Sequence, residues 1–189
     1  MRARNLAKPG RSMRPVQTHI IFKQAIDTLT CVWGGLIAPR LCQEQLESAL
    51  APYDYLISFQ SSVLEDTHLS KENYLAIALS DERTRVVGIY ASCMTALFAF
   101  ESLKTLTGYE EIKNKEPIRL LGHLRNASAH GNKFHFYRGA ARKNFVDPGV
   151  LRWRSKTVTK ALQDTPAFPD FFSAGDFAYL FEDISVLLK

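Results

Sequence analysis

The chain is 189 residues long, 46% hydrophobic and 23% charged, enough for one sizeable core and unlike a disordered or fibrous protein. Its three cysteines, Cys31, Cys42 and Cys93, are odd in number and show no C-x-x-C spacing. That argues against a disulfide framework or a thiolate metal site and for a reducing, cytoplasmic setting.

The formal charge of +5 is unevenly spread. Residues 1–15 carry Arg2, Arg4, Lys8, Arg11 and Arg14 with no acid, and residues 133–160 carry eight basic side chains against Asp147 alone. The remainder is net negative, so an anionic partner would meet those two stretches first. Residues 1–15, with Pro9, Gly10 and Pro15 and no apolar periodicity, read as a basic disordered tail. Residues 16–189 read as a single helical domain.

From Val16 the spacing of Ile20, Ile21, Ala25, Ile26 and Leu29 predicts a helix up to Gly34-Gly35, with Pro39 in the loop after it. The run Ile20 to Ala38 carries Lys23, Asp27 and the glycine pair, so it lacks the ~20 uninterrupted apolar residues of a membrane span; no membrane partner is expected. A second helix is predicted over about 41–64, broken or kinked at Pro52. Ser70 is placed to cap a short helix through Asn73 to Leu79. Asp81 and Glu82 open a long helix of roughly 82–107, ended by Gly108, apolar on most of its circumference and hence central in a bundle. Glu101 falls on its apolar stripe with Tyr90, Met94 and Leu97, either as a partner for Arg125 or His130 or at a helix edge in water.

Glu116-Pro117 reads as a helix entry, with a helix from Ile118 to His130 stopped by Gly131. Beyond Asn132 the pattern shortens to alternating runs. A small hairpin is predicted, about 150–154 with 157–162, and Phe177, Leu180, Phe181, Ile184, Leu187 and Leu188 mark a terminal helix over about 174–188 behind an acidic capping box at Ser173 to Asp176. The fold class is therefore an all-α helical bundle with a small C-terminal β-hairpin and a terminal helix.

The stretch Arg125-Asn126-Ala127-Ser128-Ala129-His130-Gly131-Asn132 carries the chemistry. Arginine keeps its charge and histidine titrates near neutrality, so Arg125 and His130 combine a phosphate clamp with a proton carrier. His123, Asn126 and His130 share a helical stripe; Arg125 lies ~140° round the helix from His130, so an irregular helix end, a long stem or a second subunit must bring the two together. Glycine-rich phosphate loops, H-E-x-x-H and nucleophile elbows are missing from the sequence. The five histidines show no metal-ligand spacing with acids, so neither a metal nor a cofactor is expected. His123 and His135 each also read simply as a helix-surface and a strand histidine.

H-L-R-N-A-S-A-H-G-N at the end of an amphipathic helix, after a long helix, resembles the HEPN superfamily, whose signature is Arg, four to six residues, then His. The resemblance covers about residues 80–132. It implies a metal-independent endoribonuclease, of toxin or phage-defence type, acting as a homodimer on RNA and held in check by an antitoxin protein. Carried over, Arg125 would hold the scissile phosphate, His130 would act as general base or acid, and Asn126 would orient them, with Glu101, Ser128 and His123 as supporting residues. Lys133, Arg138, Arg142, Lys143, Arg152 and Arg154, interleaved with Phe134, Phe136, Tyr137 and Trp153, would line the RNA path; the same aromatics also read as a small hairpin core. Other HEPN domains bind RNA, nucleotide or a protein partner without catalysis. In HEPN toxins silenced by a nucleotidyltransferase a tyrosine stands two residues after the histidine. Here that position is Asn132.

Overall fold

Seven α-helices and three two-stranded antiparallel sheets account for the described residues of the computed structural model, which are 18–53, 55–59, 67–138, 144–145 and 148–188. The predicted basic tail lies outside them. The mainly helical class, with a small C-terminal hairpin and a terminal helix, is as the periodicity predicts. The chain divides into two compact units, one of Thr30–Gly88 and one that takes the chain up to Leu29 and from Ile89 onwards.

In the first unit, α1 (Lys23–Leu41) does not stop at Gly34-Gly35, and Pro39 sits inside it. Proline removes the amide that would bond the carbonyl four residues back. That carbonyl belongs to Gly35, and the Tyr74 hydroxyl donates to it at 2.8 Å, so the helix continues past the break. α2 (Gln43–Leu50) ends before Pro52, and the predicted helix over 41–64 is corrected there. Tyr55–Phe59 forms β1, paired with β2 (Thr67–Ser70), because Y-L-I-S-F is rich in β-branched and aromatic residues. Val63 lies outside the described residues.

Ser70 caps α3 (Lys71–Leu79) by accepting from the Asn73 amide, as expected. Arg40 ties α1 to the entry of α4 (Asp81–Lys104), donating to the Ala78 carbonyl at 2.9 Å and to Asp81 and Thr84 at 2.6 and 3.1 Å. Gly88 is a close approach: a Cβ there would stand 2.6 Å from the Trp33 ring.

By length and apolarity the helical stretches Ile20–Leu41 and Asp81–Lys104 both suffice to cross a bilayer, so the polar interruptions of the first do not disqualify it; core helices of soluble proteins pass the same test.

In the second unit, α4 ends at Lys104 and Gly108 (φ 86°) opens the short α5 (Tyr109–Ile112) instead of closing the long helix. The central position expected for α4 is also corrected. Ala96, Ala99 and Leu103 are buried, but Tyr90, Met94 and Phe98, at four-residue spacing, face solvent, with Tyr90 69% and Phe98 60% exposed. The small alanines make the inward face, and the large side chains point the other way.

α6 (Glu116–Ala129) buries Ile118, Leu120, Leu121, Leu124 and Ala127, packing on β5 (Leu151–Trp153) and α7 (Asp176–Leu187). A Cβ at Gly122 would sit 3.3 Å from the Phe100 ring, so α6 also lies close to α4. β5 pairs with β6 (Lys156–Val158) in the predicted hairpin, and Lys160–Leu162 turns into a short 3-10 helix. A further ladder, β3 (Tyr137–Arg138) with β4 (Asn144–Phe145), is not foreshadowed by the sequence reading. The core is aromatic: Phe22, from the turn before α1, stacks on Phe181 at 4.4 Å, and Phe168, Phe172 and Phe177 pack beside it. The α7 entry carries half of the predicted capping box, with the Ser173 amide donating to Asp176 at 2.8 Å.

Candidate functional site

α6 starts after Lys115, whose extended backbone precedes Glu116 and Pro117, and ends at His130, whose amide reaches the Asn126 and Ala127 carbonyls, both at 3.1 Å. Gly131 follows at φ 69°, the left-handed exit that favours glycine. Arg125, Asn126 and Ser128 thus ride on the last turns, and His130 stands just beyond them.

Glu101 is the partner of Arg125. Its Oε1 accepts from Arg125 Nε at 3.0 Å and lies 2.9 Å from Nη2, while Lys104 Nζ takes Oε2 at 3.0 Å. Arg125 Nη1 reaches Asn126 Oδ1 at 3.5 Å. Lys104, and after it Arg125, hold the Glu101 carboxyl below the usual range, against some desolvation. The side chains of Arg125 and Glu101 remain 34% and 45% exposed, so the pair is an open one. Pairs of that kind contribute at most about 1 kcal/mol to stability. An open cleft of about 560 Å³ adjoins Glu101, lined also by Ile20, Ile21, Gln24, Ser102 and Thr105.

His130 is exposed and held differently. Its ring stacks on His135, with centroids 3.9 Å apart and planes 27° from parallel. Arg125 is therefore anchored towards α4 and His130 towards the loop that follows α6, which is how the ~140° offset of the two positions is expressed.

That loop is firmly mounted. Asn132, at φ 66°, clasps the backbone of Phe168 with both ends of its amide, Nδ2 donating to the carbonyl at 2.7 Å and Oδ1 accepting from the N–H at 2.8 Å. The Asn132 carbonyl accepts from Ala167 at 2.9 Å. Phe134 exchanges backbone hydrogen bonds with Thr165 and Asp164, both at 2.9 Å, and the Phe136 amide donates to Gln163 Oε1 at 2.9 Å.

Ser128 and His123, the other two supporting candidates, are engaged within the fold. The Ser128 hydroxyl donates to the Leu124 carbonyl at 2.8 Å within its own helix. His123 packs edge-on against Phe136 at 5.5 Å, and burial, with Arg119 adding repulsion, pushes its pKa down to about 4. With its pKa drawn that far below neutrality, the ring is a weak proton acceptor at physiological pH.

The basic segment divides. Lys133 and Arg152 are exposed. Arg154 is committed: Nε and Nη2 bind the two oxygens of Asp183 at 3.0 and 2.9 Å, and its guanidinium lies over Tyr179 and Trp153 at 4.8 and 5.5 Å. Trp153 Nε1 donates to the same carboxylate at 2.8 Å. Lys156 pairs with Asp176 at 3.1 Å. Arg142 and Lys143 lie outside the described residues, as do the side chains of Arg138 and Tyr137.

The aromatics proposed to stack bases are corrected: Phe134, Phe136 and Trp153 are buried, because each alternates with an outward polar neighbour and faces the core. Among the described residues no group of three or more His, Cys, Asp and Glu side chains comes together as a metal site.

Three residues that build this region have roles the sequence does not reveal. By itself His135 reads as an isolated strand histidine, although the F-H-F alternation signals an outward imidazole between two buried rings. The roles of Asn132 and Asp183 depend on contacts with residues 36 and 29 positions away, which no local pattern announces. The chain matches no protein-family model, no curated protein and no solved structure.

Proposed function

We propose that the protein is a metal-independent endoribonuclease of HEPN type, a toxin or phage-defence effector, in which Arg125 binds the scissile phosphate and His130 moves a proton. The observation that carries this reading is the exposed R-N-x-x-x-H-G end of α6, where an arginine in an open ion pair stands five residues before an exposed imidazole just past the last helical turn. RNA supplies its own nucleophile in the 2′-hydroxyl, so proton transfer and charge stabilisation suffice. Glu101 holds the guanidinium by one carboxylate oxygen, so Arg125 is oriented before a phosphate arrives. Lys133 and Arg152 supply further positive charge. The exposed stripe of Tyr90, Met94 and Phe98 supports association with a second copy. By the same resemblance, an antitoxin protein would restrain the activity.

The test is incubation of the purified protein with RNA in excess chelator. Cleavage that vanishes in folded Arg125→Ala and His130→Ala variants is the expected result. A second reading, a HEPN module that binds RNA, nucleotide or a protein partner without catalysis, is favoured by the neutralisation of Arg125 by Glu101. It predicts RNA retention with no cleavage. In size-exclusion chromatography the ribonuclease reading expects a dimer, and a monomer at every concentration would count against the paired arrangement.

A further inference from the structure

We propose that His135 is the general base of the cleavage reaction and His130 its general acid, so that one chain carries both proton carriers on two stacked rings. This rests on the ribonuclease reading above. Cleavage of RNA by its own 2′-hydroxyl requires two proton transfers at one phosphorus, one away from the attacking oxygen and one onto the departing oxygen. A single imidazole can serve one of them at a time. The structure offers two, with centroids 3.9 Å apart.

His135 is fixed with the rigidity such a role needs. Phe134 and Phe136 on either side of it are buried and stacked on each other at 6.0 Å, and the backbone from Asn132 to Phe136 is bonded to residues 163–168. With its neighbours pointing inward, the His135 ring is directed outward onto His130.

The division of roles follows from electrostatics. His130 stands just past the carbonyl end of α6, the end of a helix that suits a cationic group and hence a proton donor. His130 is then the donor and His135 the acceptor. In the reaction, His135 takes the proton of the 2′-hydroxyl as the 2′-oxygen forms its bond to phosphorus. Arg125 balances the charge on the non-bridging oxygens. The bond from phosphorus to the 5′-oxygen breaks, its electron pair stays on that oxygen, and His130 delivers the proton there. The products are a 2′,3′-cyclic phosphate and a 5′-hydroxyl end.

The test uses the full chain and two versions of one RNA oligonucleotide, the natural one and one with sulfur replacing the 5′-oxygen at the cleaved linkage. A thiolate departs without needing a proton. His135→Phe keeps the stacked ring and removes the proton acceptor; His130→Gln removes the donor; circular dichroism verifies folding. On natural RNA both variants are expected to lose about 10²-fold or more in rate. On the sulfur-substituted RNA, His130→Gln recovers to near the wild-type rate and His135→Phe does not. If His135→Phe fails to fold, His135→Gln is read against the same two substrates. Wild-type cleavage by a folded His135 variant on natural RNA overturns the proposal, and so does recovery of that variant on the sulfur-substituted RNA. A wild-type protein that leaves RNA intact is a different result: it removes the ribonuclease reading, and this assignment with it.

Discussion

Two arginine–carboxylate pairs in the same compact unit show how differently one chemical motif can be used. Arg154 engages both oxygens of Asp183, shares that carboxylate with the Trp153 indole, and lies across two aromatic faces. Arg125 touches a single oxygen of Glu101, whose other oxygen belongs to Lys104. The first pair is a clamp between the β5–β6 hairpin and α7. The second is a holder that leaves donors turned outward. The histidines divide in the same way: His123 is enclosed and neutral, while His130 is exposed at a helix end.

The largest effect expected from this contrast is on activity. Arg125→Ala should lower RNA cleavage by about 10²–10³-fold, the scale for removing one charge-stabilising donor, while shifting stability by no more than about 1 kcal/mol. Quantitative cleavage assays beside a thermal melt check both halves, and a large loss of stability would turn Arg125 into a second Arg154.

Next in size is acid sensitivity from His123. Its folded pKa of about 4 lies below the unfolded value, so the unfolded chain binds a proton first as pH falls. The neutral ring's contribution is fully present above about pH 6.5 and is lost as pH drops towards 4, by about 3 kcal/mol. Melting curves across that window should slope steeply for the wild type and flatten in His123→Phe.

Arg154→Ala should give the inverse of Arg125→Ala, a loss of about 1–2 kcal/mol with near-normal cleavage. Urea unfolding measures the first quantity. A drop in cleavage greater than any drop in stability would restore Arg154 to the RNA path. The smallest effect belongs to Glu101→Gln. It keeps a hydrogen bond to Arg125 and removes the opposing charge, so KM for RNA should fall a few-fold while kcat falls by a similar factor, as the guanidinium is less firmly aimed.

Much of the half of the chain that holds the site was legible. Glu116-Pro117 and Gly131 bracket α6 because both act through local backbone geometry. The β5–β6 hairpin and α7 also follow from periods and caps. The early half was harder, for identifiable reasons. Gly34-Gly35 and Pro39 are ordinary stop signals, overridden by a hydroxyl from Tyr74 that no local pattern reveals. Tyr53, Leu56 and Ile57 matched a helical spacing, yet Tyr55–Phe59 took the strand that β-branched and aromatic residues prefer. In the site, Arg125 and His130 were visible as residue types at a spacing. Glu101 is legible as an acid on an apolar stripe with Arg125 as one possible partner, and His135 looks isolated because the loop that brings it onto His130 takes a path that depends on Asn132.

The Asn132 clasp has a kinetic consequence. The amides of Phe134, Asp164, Ala167 and Phe168 are donors in the bonds that hold the His135 loop to residues 163–168. Their exchange with deuterium therefore times how often that loop lifts away. An RNA that bridges Arg125 and the two imidazoles would slow all four together, reporting engagement of the site from the backbone alone.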